Sequence, residues 1–261
     1  MSVFSLRGKL PERQKSLIEL SGAVFLVTLW WALVQSGMVK ASILPSPVRV
    51  VTSLPELHFH DALLRNAGHS IWLNFLGYAE AVAIALPLGF IVGLFPLFRA
   101  LFERYFGALR YLPLPPTIGL FILWFGISTN MKVQFLTLGI VVYLVPVVIQ
   151  RIDEVQQVYV DTAKTLGATR WQRIKTVFIP DVVARVSDDI RVLIAISWTY
   201  VTITEVINQS EGGLGALASI AARQSRTDKV YALLMFIILI GFVQDKTLVW
   251  LDRKVFPHKY A

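Results

Sequence analysis

The sequence predicts an all-α integral membrane protein of about six transmembrane helices, and three observations carry that prediction. Apolar residues make up 55% of the 261 positions and charged residues only 16%, with a mean hydropathy of +0.61, far from a soluble average. The apolar residues gather into runs of about 20, the length a helix needs to cross a hydrocarbon layer about 30 Å thick. The basic residues behind the net charge of +8 lie between those runs. They do not form the single stripe a nucleic acid would select, so the lipid bilayer is the expected partner and nucleic acid is not.

The first run, residues 17–37, is longer than the apolar stretch of a signal peptide, and no small-x-small cleavage site lies between Ser36 and Ala41, so it reads as a retained span. Residues 42–64, with Pro45, Pro47 and Pro55, read as an external linker. Region 1–64 is thus an arm, a first span and a linker, and region 65–261 a core of about five spans with a large loop at 151–180. The second span is 71–97, which contains Pro87, Pro96 and three glycines. The third, 111–127, opens on Pro113, Pro115 and Pro116, so its first turns are expected to be irregular. Spans at 133–150 and 190–207 follow, then a short one at 230–243 continuing as helix towards Phe256. Five spans is the alternative count.

Orientation follows from the tendency of Lys and Arg to stay cytoplasmic. With the N-terminus inside, 18 of the 25 basic residues fall on the cytoplasmic side, Arg7, Lys9 and those of the 151–180 loop among them, and 7 fall outside. Both termini are therefore expected in the cytoplasm, which favours an even number of spans.

Several chemistries are excluded or left without a carrier. With no cysteine there is no disulfide, thiolate metal site or thiol nucleophile. His58, His60 and His69 have no ligand spacing and read as residues of the external loop. The only Gly-Lys, Gly8-Lys9, lacks the surroundings of a phosphate-binding loop, so no nucleotide or other cofactor is expected on this chain. No cluster of nucleophile and base is apparent, and no enzymatic activity is expected.

The most informative stretch is 161–180, DTAKTLGATRWQRIKTVFIP. Trp171, Ile174 and Phe178 recur at helical spacing, with Arg170, Arg173 and Lys175 largely off that stripe, which predicts a short amphipathic helix. Gly167 suits the left-handed end of a preceding helix over 160–166. Pro180 suits the first turn of the next helix, with Asp181 beside its positive end. Two short helices and a sharp turn into the fifth span are expected. On pattern alone, an interfacial loop resting on anionic lipid explains this stretch equally well.

In register, the stretch resembles the cytoplasmic signature of ABC importer permeases: Glu-Ala-Ala, a Gly after three residues, and a closing apolar-x-Leu-Pro. Here it reads Asp161-Thr162-Ala163, Gly167, Val177 and Ile179-Pro180, with Asp for Glu, Thr for the first Ala and Ile for Leu. Further pieces are similar to the nitrate, sulfonate, taurine and bicarbonate branch. They are LWFGIS from Leu123, SWTYVTITEVI from Ser197 leading to GGLG from Gly212, and the closing FPHK. The resemblance implies a type I ABC importer permease in a bacterial cytoplasmic membrane, passing a small anion delivered by an extracytoplasmic binding protein. It implies a second permease copy or paralogue and ABC ATPase subunits, with Mg-ATP held on those subunits. ATPase coupling is implied for Asp161, Thr162, Ala163, Leu166, Gly167, Ala168, Trp171, Ile174 and Pro180.

The implied translocation pathway passes Trp124, Phe125, Thr199, Thr202 and Glu205, with Thr204 and Asn208 extending a polar side of the fifth span. Glu205, a carboxylate deep in an apolar run, must face protein or water. Two readings stand level for it: a pathway or gate residue, and a cap for the Gly212 to Gly215 loop. Glu80 is expected near the outer headgroups. Residues 188–191, DDIR, depart from the Gly-Leu-Arg of the family at Asp189, and Arg185 with Asp189 at i, i+4 is the expected pair. The rival class is an ion-gradient-driven secondary transporter or channel using Glu80 and Glu205.

Overall fold

A computed structural model describes residues 10–260, and every regular element among them is helical. Arg7 and Lys9, counted in the basic bias, lie outside the described residues. Contacts divide the chain into two units, the chain up to Ala62 with Ala218–Met235, and Leu63–Leu217 with the chain from Phe236 onward.

The first unit begins with α1 (Glu12–Gln35), whose apolar stretch buries no residue within the chain. Exposed Leu, Val and Phe side chains are the expected surface of a helix whose solvent is lipid. The expected linker at 42–64 is not plain loop, because it holds α2 (Pro47–Thr52) and α3 (Leu54–Phe59). Ser46 caps α2 by accepting the amide of Arg49 at 3.3 Å, with Pro47 in the first turn, so the Ser-Pro pair starts a helix here. Val50 and Leu57 are buried beneath the two turns. Arg226 pairs with Glu56 at 2.7 Å and Asp228 at 2.9 Å, and Lys229 pairs with Asp61 at 2.6 Å and Glu56 at 2.9 Å. Hydrogen bonds from Arg226 and Lys229 lower the Glu56 carboxyl from 4.5 to about 2.

The second unit is built on α4 (Leu63–Leu94) and α7 (Thr129–Asp153). Between them come α5 (Pro96–Leu109) and α6 (Ile118–Phe125). Gly77, Ala81, Ala85, Gly89 and Gly93 recur every fourth residue on α4, and all five are buried. A Cβ on Gly77, Gly89 or Gly93 would come within 2.6 Å of Leu136, Val148 or Ile152 of α7, respectively. In lipid, burying apolar surface drives no association between helices, so close packing of this small-residue stripe has to hold the pair.

Those contacts advance together along both chains, so α4 and α7 run parallel. The connection between them must therefore travel back along the pair, and α5 with the short apolar helix Pro115–Phe125 makes that return. The expected third span, 111–127, is regular only over that stretch, which opens with a 3-10 turn at Pro115–Thr117. Pro113, Pro115 and Pro116 remove the donors a longer helix would need. Among the described residues, five helices are long and apolar enough to cross a membrane, and Pro115–Phe125 is a shorter apolar helix at the place of the expected third span.

The long helix α10 (Ile179–Ile207) packs against both. It runs antiparallel to α4, with Asn74 donating to Ser197 at 2.8 Å and the Tyr78 hydroxyl donating to the Ile190 carbonyl at 2.7 Å. Phe135, Leu136, Ile140, Leu144 and Val145 of α7 are fully buried at the centre of this unit. After α10 the chain forms α11 (Leu214–Arg223) and α12 (Thr227–Val255), the last continuing beyond the span at 230–243 to Val255 as expected.

Candidate functional site

Two groups of residues stand at opposite ends of the second unit, and both come from segments singled out in the sequence. The first is the elbow between α7 and α10. It consists of α8 (Gln157–Thr165), a left-handed turn, α9 (Arg170–Arg173) and a π-helical turn at Ile174–Phe178. Gly167 has φ +79°, its amide donates to Lys164, and the Ala168 amide reaches back to the Ala163 carbonyl at 2.9 Å. That pair of bonds closes a helix through a residue with positive φ, which glycine adopts without strain. Thr169 then opens α9 in a reciprocal capping box with Gln172. Both sides of the turn are thus fixed by the local sequence.

The predicted sharp turn at Pro180 is absent. The π turn carries the chain from α9 directly into α10, and Pro180 sits in the first turn of α10 without a break. The expected stripe also divides, because Trp171 points outward at 73% exposure while Ile174 and Phe178 are half-buried. Ile174 and Phe178 line a groove with Leu94, Pro96 and Val160. Leu166, at 82% exposure, and Trp171 therefore form an apolar tip. Asp161 and Thr162 stay exposed on α8, where Asp161 accepts from Gln157 and the Thr162 hydroxyl donates to the Val158 carbonyl. Ala163 and Ala168 are half-buried at the turn.

Above the elbow, Arg151 makes a two-pronged pair with Asp189 at 2.7 and 2.8 Å and a further bond to Glu154 at 2.6 Å. The expected Arg185–Asp189 pair does not form: Arg185 takes Asp181 at 3.1 Å, leaving Asp189 for α7. Asp188 and Arg191 are also engaged, with Lys259 at 2.8 Å and Asp245 at 2.9 Å. With the Tyr78 hydroxyl on the Ile190 carbonyl, residues 188–191 thus join α10 to four other segments.

The second group surrounds the loop between α10 and α11. Glu205 is completely buried, and its two oxygens accept the Ser70 hydroxyl at 2.6 Å and the Gly215 amide at 2.8 Å. Ser70 in turn accepts the Leu214 amide at 2.9 Å, and Asn66 accepts the Gly213 amide at 2.7 Å. Gly212 and Gly213 have φ of +82° and +109°, and a Cβ on Gly213 would lie 2.2 Å from the Glu205 carboxylate. Only glycine fits both the backbone and the space. Glu211, at the tip of the loop, accepts from Thr129 at 2.8 Å and lies 2.9 Å from the ammonium of Lys132. Partial burial pushes the Glu211 carboxyl up, but Lys132 and Thr129 outweigh it and hold it below the usual carboxylate range.

The other pathway candidates are dispersed. Thr199 is exposed, Thr202 half-buried and Thr204 buried, so they do not form one polar row. The Thr202 and Thr204 hydroxyls donate to carbonyls of their own helix. Trp124 and Phe125 end α6, with Trp124 65% exposed. Glu80, expected near the outer headgroups, accepts from Gln134 of α7 at 2.9 Å. Ser70, Asn66, Lys132 and Glu211 were not anticipated, and His69 belongs to α4 instead of the loop. A basic residue four positions after a Ser N-cap, inside an apolar run, was the available signal for Lys132.

Residues 85–257, more than half of the chain, match the family described as binding-protein-dependent transport system inner membrane component. The taurine transport system permease protein TauC of Escherichia coli (strain K12) is 26% identical over 259 residues, covering 97% of this chain and 93% of that protein. A putative aliphatic sulfonates transport permease protein, SsuC of Bacillus subtilis (strain 168), is 26% identical over 233 residues, 88% of this chain and 83% of that protein. Among solved structures, a chain of the inward-facing MetNI methionine ABC transporter superimposes with a TM-score of 0.65 at 17% identity, over 78% of this chain and 99% of that one. That likeness extends to the fold.

Proposed function

The chain belongs to the family of binding-protein-dependent transport system inner membrane components, and from that premise we propose that it passes a small anion of the sulfonate class through the membrane on energy supplied by a separate ATPase subunit. The observation that carries the coupling half of this reading is the apolar tip of Leu166 and Trp171, presented on a turn whose backbone is capped on both sides. Large exposed apolar side chains on a rigid polar segment suit a groove in a protein partner. The solute class rests on the relatives named for taurine and aliphatic sulfonates.

In this mechanism the chain performs no covalent chemistry. Mg-ATP binds to two ATPase subunits, whose closure carries the elbow with it. Because α9 runs through the π turn into α10 without a hinge, displacement of the elbow displaces α10 as a lever. The Arg151–Asp189 pair ties α7 to the same movement. ATP shifts the equilibrium towards the outward-facing state only to the extent that the ATPase dimer binds the two elbow positions differently. A second permease copy or paralogue completes the path, and a binding protein delivers the solute from outside. Both termini lie in the cytoplasm, as the basic bias requires.

The test is uptake of labelled taurine into vesicles holding the chain, its co-purified ATPase subunit and the binding protein. Uptake that requires ATP inside and the binding protein outside supports the reading. Uptake driven by an ion gradient without the ATPase would replace it with the secondary-transporter reading.

A further inference from the structure

Lys132 is fully buried, on the first turn of α7. Its ammonium lies 2.9 Å from Glu211 Oε2 and has no other acceptor in reach. The Glu211 side chain is 30% exposed, so this carboxylate stands between a buried cation and the outside of the unit. Thr129 donates to the other carboxylate oxygen at 2.8 Å. His69, on α4, has a buried Nε2 without a partner. Thr129 and Lys132 thus approach one oxygen each of the same carboxylate. Glu205, the other carboxylate near Lys132, is already committed to Ser70 and Gly215.

We propose that Lys132, with Thr129 and His69, is an anion-binding station of the translocation path, and that Glu211 is a tethered stand-in for the solute's anionic group. The inference rests on the anionic solute of the preceding reading and names the residues that receive it. A buried ammonium without a counter-charge is strongly unfavourable, so the station must always hold an anion. The loop is built to exchange one for another. Leu214 and Gly215 are clamped by Ser70 and Glu205, while Gly212 and Gly213 precede the clamp with positive φ. The Gly213 amide is itself held by Asn66, so the tip carrying Glu211 swings at Gly212 and the clamp stays in place. A sulfonate offers three acceptor oxygens, one more than the carboxylate it displaces.

The test uses the detergent-solubilised complex with its ATPase subunit, melted in increasing methanesulfonate, with sodium acetate at equal ionic strength and neutral dimethyl sulfone as references. In Glu211→Gln the tether is neutral and Lys132 lacks its counter-charge. Methanesulfonate is expected to raise its melting temperature saturably, by about 3 °C or more, as a ligand bound only to the folded state does. Acetate should do less and dimethyl sulfone nothing, while the wild type, with its site filled, should respond weakly. The double variant Lys132→Met with Glu211→Gln removes both charges at similar volume and should fold yet show no methanesulfonate response. An equal response in wild type and Glu211→Gln, or a response surviving in the double variant, overturns the inference. Should the wild-type complex import taurine while Glu211→Gln shows no anion response, the station alone is wrong. Failure of the wild-type complex to import any small anion removes the underlying reading and the station with it.

Discussion

The buried carboxylate of Glu205 accepts the amide of Gly215, ten residues further along the chain, at 2.8 Å. With its other oxygen on Ser70, it closes the corner where α10 turns back into α11. We propose that capping this corner is its role. Glu205→Leu would strand the Gly215 amide and the Ser70 hydroxyl in a dry site, a loss of about 3 kcal/mol. That variant is expected to lower the yield of assembled complex sharply. Glu205→Gln keeps one acceptor and should assemble and transport. Uptake abolished in Glu205→Gln at normal yield would instead make the charge itself part of the path.

The small-residue stripe of α4 carries a packing prediction. A Cβ on Gly89 would lie 2.5 Å from Cβ of Val148, whereas one on Gly107 in α5 meets nothing within 4 Å. Gly89→Ala is expected to destabilise by about 1–3 kcal/mol through overpacking, and Gly107→Ala to be neutral or slightly stabilising. Melting temperatures of the two purified variants make the comparison, and equal behaviour would contradict the packing of α4 on α7.

The Arg151–Asp189 pair is less than one-third exposed on both sides and two-pronged. A double-mutant cycle with Arg151→Met and Asp189→Asn is expected to give a coupling of about 1 kcal/mol or more. Either single variant should raise the ATP consumed per solute imported, because α7 no longer follows α10. An unchanged ratio in both would remove the pair from the lever.

These cases mark what was legible in the sequence. The elbow was readable because its geometry is local: Gly167 at a left-handed turn and a helix-tolerated Pro180 are fixed by neighbours in the chain. The π turn was not, since nothing in residues 174–178 announces the wider helix that removes the expected sharp turn. Asp189 was assigned to Arg185 by helical spacing, but a partner on another helix with better geometry took it. The Gly77-Ala81-Ala85-Gly89-Gly93 spacing is present in the sequence, but hydropathy reports span length and not helix pairing. The Lys132–Glu211 and Ser70–Glu205 contacts join residues 79 and 135 positions apart, beyond the reach of any local pattern.

Topology is testable because the chain has no cysteine. A thiol placed at Thr169 is expected to react with an impermeant reagent only from the cytoplasmic side, and one at His58 only from outside. External labelling at Thr169 would reverse the orientation and detach the elbow from any cytoplasmic ATPase.

The central claim, that the tip of the elbow seats in the ATPase subunit, is tested most directly by cross-linking from a single thiol at Leu166 in the assembled complex, with a thiol at His58 as reference. The expected result is a permease–ATPase adduct from Leu166 alone, with a yield that changes when ATP is bound. No adduct from Leu166 in a complex that still imports solute, or equal adducts from both positions, would contradict it.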